Sequence, residues 1–89
     1  MYEYIAPAPR FWNLFERLPE AVQKIASENF ELLKENPSHP SLHFKKVGKL
    51  WSVRVGLNHR ALAVEDDADF IWVWIGRHDD YIRQIKNQG

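Results

Sequence analysis

The 89-residue chain contains no cysteine. Disulfides and thiolate metal sites are therefore excluded, which fits a reducing compartment. It also lacks any excess of charge: 12 lysines and arginines balance 12 acidic residues, so long-range attraction to nucleic acid is weaker than in a basic domain. No apolar run approaches the length needed to cross a bilayer. The first residues, Met1-Tyr-Glu-Tyr-Ile-Ala-Pro-Ala-Pro9, have neither a basic start nor an apolar stretch, so they do not read as a signal peptide. There is no internal repeat and no low-complexity segment. Residues 1–89 are read as one soluble domain of the cytoplasm, large enough for a modest core.

The balanced charge is unevenly spread. Between Leu42 and Arg60 the charged residues are Lys45, Lys46, Lys49, Arg54 and Arg60, with no acid among them. Glu65, Asp66, Asp67 and Asp69 then crowd one turn, while Glu16, Glu20, Glu28, Glu31 and Glu35 make the first forty residues acidic. The basic stretch is either a surface for phosphate or a set of solvated strand ends.

Periodicity predicts two helices followed by a sheet. Pro9 suits a first helical position, and Phe11, Leu14, Phe15 and Leu18 recur at helical spacing. Pro19 ends that helix and opens the next, whose apolar stripe is Val22, Ile25, Ala26, Phe30 and Leu33. Asn36-Pro37 stops it. Strands are expected at residues 42–47, in Trp51-Ser-Val-Arg-Val55, in Arg60-Ala-Leu-Ala-Val-Glu65 and in Phe70-Ile-Trp-Val-Trp-Ile75. An extra edge strand is read at residues 2–5. The connections are too short for crossover helices, so the sheet is antiparallel, and a short helix follows Gly76. The fold class is α+β, two N-terminal helices covering one face of a four-stranded antiparallel sheet.

Side chains alternate along a strand. Trp51, Val53 and Val55 thus face the helices, while Ser52 and Arg54 face the other way. The same alternation sets Ile71, Val73 and Ile75 against the helices with Val53 and Val55. Phe70, Trp72 and Trp74 are then expected on the front beside Arg54, to stack bases, to receive a partner, or to lie beneath the terminal helix.

In order and spacing, three segments resemble the RelE/ParE toxin superfamily of bacterial toxin–antitoxin systems. They are Leu42-His-Phe-Lys-Lys-Val47, the pair Trp51-Ser-Val-Arg-Val55 and Arg60-Ala-Leu-Ala-Val64, and Trp74-Ile-Gly-Arg-His-Asp-Asp-Tyr81. Asn36-Pro-Ser-His-Pro-Ser-Leu-His-Phe-Lys45 is similar to a ParE-like branch. The resemblance implies a toxin that inhibits translation by ribosome-dependent mRNA cleavage, with a cognate antitoxin as partner. The alternative is a non-catalytic ParE-like protein that binds DNA gyrase or an antitoxin.

Cleavage needs a base for the 2′-hydroxyl, cations for the phosphate and an acid for the leaving oxygen. By resemblance Arg54 clamps the phosphate, and Lys45 or Lys46 adds charge, alternation allowing only one of them on the front. His78 transfers a proton, and Tyr81 stacks or orients the substrate. Arg60, Arg77 and Trp74 complete the expected nucleic-acid surface. Each has a plainer reading: Arg54 paired with Glu65 or Asp69, His78 capping the last helix, Tyr81 packing that helix. His39, His43, His59 and His78 are not read as a metal site, and no cofactor is expected.

Overall fold

Two helices precede the main strands of the fold. The proline at Pro9 starts α1 (Pro9–Glu16), and Pro19 caps α2 (Glu20–Glu35) in an extended conformation. The computed structural model describes residues 3–4, 8–67 and 69–87, without the side chains of Glu3, Tyr4 and Asp69. Five strands follow these bounds: β1 (Glu3–Tyr4), β2 (Lys45–Val47), β3 (Leu50–Val55), β4 (His59–Asp66) and β5 (Asp69–Arg77). They form one sheet in the order β1-β5-β4-β3-β2, and α3 (His78–Lys86) closes the chain. The four longer strands pair antiparallel, and β1 adds to β5 in parallel. The edge strand read at residues 2–5 is present at Glu3 and Tyr4; Tyr2 and Ile5 lie outside the described residues.

The strand expected at residues 42–47 begins later. Pro40–Leu42 forms a 3₁₀ turn, and only Lys45–Val47 joins the sheet. His39 explains the difference, because its Nδ1 accepts hydrogen bonds from the Ser41 amide at 3.2 Å and the Ser41 hydroxyl at 2.8 Å. Those local bonds compete with strand pairing. The turn ends at His43, which sits in the left-handed region at φ 47°.

The back of the sheet packs on α1 and α2. Phe11, Ala26 and Leu33 from the helices meet Val53, Val55, Ala61 and Ile75, all buried. Ring centroids lie 5.7 Å apart for Phe11 and Phe30, and 5.0 Å for Phe30 and Trp72. Ile25, expected in this core, is 39% exposed and lies against the end of β3 at Gly56 instead.

β5 departs from strict alternation. Leu62 pairs with Trp74 and Ala63 with Trp72, so Val73 is an extra residue on β5. Such a bulge shifts the phase of the strand by one residue. Trp72 and Phe70 consequently join the back core, correcting their expected place on the front. Val73 packs instead with the front cluster, and Ile71 pairs with Val64 and through it with Leu50, on the front. Trp74 and Ile75, beyond the bulge, face as expected. No helix among the described residues is long and apolar enough to cross a membrane.

Candidate functional site

The front face divides into an apolar half and a cationic half. In the apolar half α3 lays Tyr81, Ile82 and Ile85 over Leu62 and Trp74. Gly76 allows this: a Cβ there would lie 2.6 Å from Cζ2 of the Trp74 indole. The ring needs that bare backbone to lie flat. Trp74 and Tyr81 are each only 6% exposed. Trp74 is thus unavailable to stack on a base, and Tyr81 anchors α3 as a packing residue, with its ring centroid 5.6 Å from that of His78.

The cationic half is built from strand register. Arg54 of β3 stands directly opposite Arg60 of β4. Like charges so placed oppose folding. Burial lowers the pKa of Arg60 from its ordinary value, the Arg54 charge lowers it further, and Tyr81 acts in the other direction. Neither guanidinium meets a carboxylate among the described residues. Arg54 Nε donates to the Gly56 carbonyl at 3.0 Å, and Arg60 donates to the His59 carbonyl at 2.7 Å. Glu65, considered as a partner for Arg54, instead accepts from the Trp51 indole N–H at 3.0 Å. On the outer side of Arg54, His43 brings Nε2 within 3.5 Å of its guanidinium.

Lys45 pairs with Ser52 and therefore shares the front with Arg54, whereas Lys46 pairs with Trp51 and belongs to the other side. Arg77 caps α3, and His78 is its first residue, with its amide donating to the Asn58 carbonyl at 2.8 Å. That bond ties the start of α3 to the turn between β3 and β4. A cavity of about 290 Å³ opens there, lined by Leu57, Asn58, Arg60, Arg77, His78 and Asp79. A second of about 350 Å³ lies on the Arg54 side, lined by Ile25, Asn29, Ser41, Arg54, Gly56 and Leu57. The structure thus gathers Arg60, Arg77 and His78 in one cavity and places Arg54 in its neighbour. His59, paired with Arg77, has its pKa lowered by burial, then by Arg77 and Arg60. Among the described residues no group of three metal-binding side chains converges.

No known family profile and no curated protein matches the sequence. Solved structures do match. The RelB–RelE antitoxin–toxin complex of Methanococcus jannaschii aligns with a TM-score of 0.71 at 17% identity, over 90% of this chain and 98% of that one. The RelBE2 toxin–antitoxin complex of Mycobacterium tuberculosis gives 0.63 at 17% identity, over 86% and 98%. The isolated E. coli RelE toxin gives 0.61 at 12% identity, over 97% of both chains. This is the RelE fold.

On that RelE fold the cationic half contains residues the sequence reading passed over. His43 is read within a strand, Asn29 within a helix and Ser41 in the connection between them. The turn at residues 40–42 brings Ser41 and His43 to Arg54, while Asn29 reaches it from α2, donating to its carbonyl at 3.1 Å. Their local sequence carries no sign of it beyond the prolines that set the turn. Leu57 had a signal: an apolar residue between Gly56 and Asn58, at a turn where nothing can bury it.

Proposed function

We propose that this chain is the toxin of a type II toxin–antitoxin pair and arrests translation by cleaving mRNA on the ribosome. The observation that carries this reading is the directly opposed pair Arg54 and Arg60, without a carboxylate partner among the described residues and with a histidine beside each. Two opposed guanidiniums favour an anion between them, and their planar forks suit phosphate oxygens. The RelE fold supports the same reading.

In this mechanism Arg54 and Arg60 hold the scissile phosphate and offset the charge that grows on it, with Lys45 and Arg77 adding positive potential. His43 Nε2 takes the proton of the 2′-hydroxyl, and the freed 2′-oxygen bonds to phosphorus. The bond from phosphorus to the 5′-oxygen breaks, and that oxygen takes a proton from His78. The products are a 2′,3′-cyclic phosphate and a 5′-hydroxyl. Tyr81 acts as a positioning residue through its ring contact with His78. The protein acts in the cytoplasm, and a cognate antitoxin covers it between episodes of activity.

Zero net charge favours a second reading, a ParE-like binder of gyrase or of an antitoxin alone, because steering toward the ribosome is weak. Induced expression followed by mapping of mRNA 5′ ends separates the two. Cuts within translated codons, lost in the Arg54→Ala variant, support cleavage. Growth arrest with intact transcripts and a DNA-damage response would sink it in favour of the binder.

A further inference from the structure

The two cavities of the cationic half share one wall, and that wall is Leu57, which is 78% exposed. A side chain this open contributes little to folding. It is nevertheless held on a fixed mount. Gly56 turns the chain at φ 62°, its carbonyl accepts the Arg54 Nε–H at 3.0 Å, and the neighbouring Asn58 carbonyl accepts the His78 amide at 2.8 Å. Ile25 of α2 packs beneath Gly56, with Cγ2 3.6 Å from the position a Cβ would take. The apex is therefore pinned from β3, from α2 and from α3.

Each cavity has an arginine and uncharged hydrogen-bonding groups, Asn58 on one side, Asn29 and Ser41 on the other. Their volumes match the small end of ligand pockets, about 300 Å³. Single-stranded RNA is read by splaying its bases apart, and apolar side chains can wedge between stacked bases. We propose that the cavities receive the two nucleosides on either side of the phosphate at Arg54 and Arg60, and that Leu57 inserts between their bases. The inference rests on the RNA reading of the same site. It assigns the Arg54 cavity to the nucleoside bearing the attacking 2′-oxygen and the His78 cavity to the one bearing the leaving 5′-oxygen. Leu57 would then be a positioning residue, holding the step open so that the 2′-oxygen lines up with phosphorus.

The test uses the full chain and a 2′-O-methyl dinucleotide, which cannot be cleaved, with a nucleoside monophosphate as control. In a two-dimensional NMR titration the dinucleotide should shift the amides of Ser41 and Asn58 together with the Leu57 methyls, and bind about tenfold more tightly than the monophosphate. Leu57→Ser should erase that preference while leaving monophosphate binding intact, and Leu57→Phe should keep it. Shifts confined to one cavity, or an unchanged preference in Leu57→Ser, would overturn the inference. So would Leu57 shifts seen only with a protein partner. The outcome is distinguishable from that of the cleavage reading: uncut transcripts with a dinucleotide spanning both cavities leave the wedge in place on an RNA-binding protein. Cut transcripts with an indifferent Leu57 remove the wedge alone.

Discussion

The two faces of the sheet obey opposite rules. On the back, Phe11, Phe30 and Trp72 pack through successive tilted ring contacts of 5.7 and 5.0 Å, and Val53, Val55, Ala61 and Ile75 complete a buried apolar layer. On the front, α3 packs over Leu62 and Trp74, and beside that cluster, on the same strand as Leu62, Arg60 confronts Arg54. The first face lowers the free energy of the folded state through buried apolar area. The second retains a like-charge contact that raises it. Such a contact is tolerated because the back face supplies most of the stability, and strained or repulsive arrangements tend to sit where a ligand relieves them.

The contrast can be broken most directly on the back. Trp72→Ala should cost about 3–5 kcal/mol, the usual loss for a buried tryptophan, which is a large part of the stability of a small domain. Urea unfolding would measure it, and a loss near zero would mean the bulge does not carry Trp72 into the core. Arg54→Ala should do the reverse, reducing ribosome-dependent cleavage by about 10²–10³ while stability stays level or rises by up to ~1 kcal/mol as the repulsion ends. If its melting temperature falls along with activity, Arg54 belongs to the scaffold and the contrast fails.

Smaller effects sharpen the boundary between the halves. Gly76→Ala places a methyl against the Trp74 indole, and overpacking of this kind costs about 1–3 kcal/mol. Faster amide exchange in α3, with β2 and β3 unchanged, would show that the indole is what seats the helix. His59 gives the smallest effect. Its native pKa lies below the ordinary value of 6.5, chiefly through burial and then through Arg77 and Arg60. The folded protein therefore holds fewer protons than the unfolded chain just below about pH 6.5, so this contribution is full above that pH and declines as the pH falls through the native pKa. His59→Gln should lose less melting temperature than the parent between about pH 7.5 and pH 5.5; equal losses would place the acid sensitivity elsewhere.

Much of this fold is legible in the residues themselves. Pro9, Pro19 and Asn36-Pro37 mark the helix limits, and the alternation in Trp51-Ser-Val-Arg-Val55 correctly puts Arg54 opposite the helices. The phase of β5 is not legible. Phe70-Ile-Trp-Val-Trp-Ile75 is apolar at every position, so nothing local distinguishes one face from the other or betrays a bulge at Val73. The same degeneracy placed Trp72 beside Arg54. In the site, Arg54, Arg60, Arg77 and His78 are named by the sequence, and the structure divides them between two adjoining cavities. His43 was not, because its approach to Arg54 depends on a left-handed residue after a 3₁₀ turn, a local choice that only the assembled chain fixes.

The place of β5 also governs when this molecule comes into being. The first helix rests on a strand made long after it: the Ala8 amide donates to the Trp72 carbonyl at 3.0 Å, and β1 pairs with residues 69 and 70. Contacts this distant in sequence form late, since the intervening chain must first be gathered. During synthesis α1 therefore emerges with no strand to pack on, and the sheet that carries the arginine pair is unfinished until β5 has been made. Stalled nascent chains ending before Phe70 should be cut by protease within α1, while chains extended past Lys86 and clear of the ribosome resist it there. Protection of α1 in the shorter chains would show that it settles without β5. The helix at Pro9–Glu16 is thus fastened only after β5, a strand that also completes the sheet carrying the cationic face.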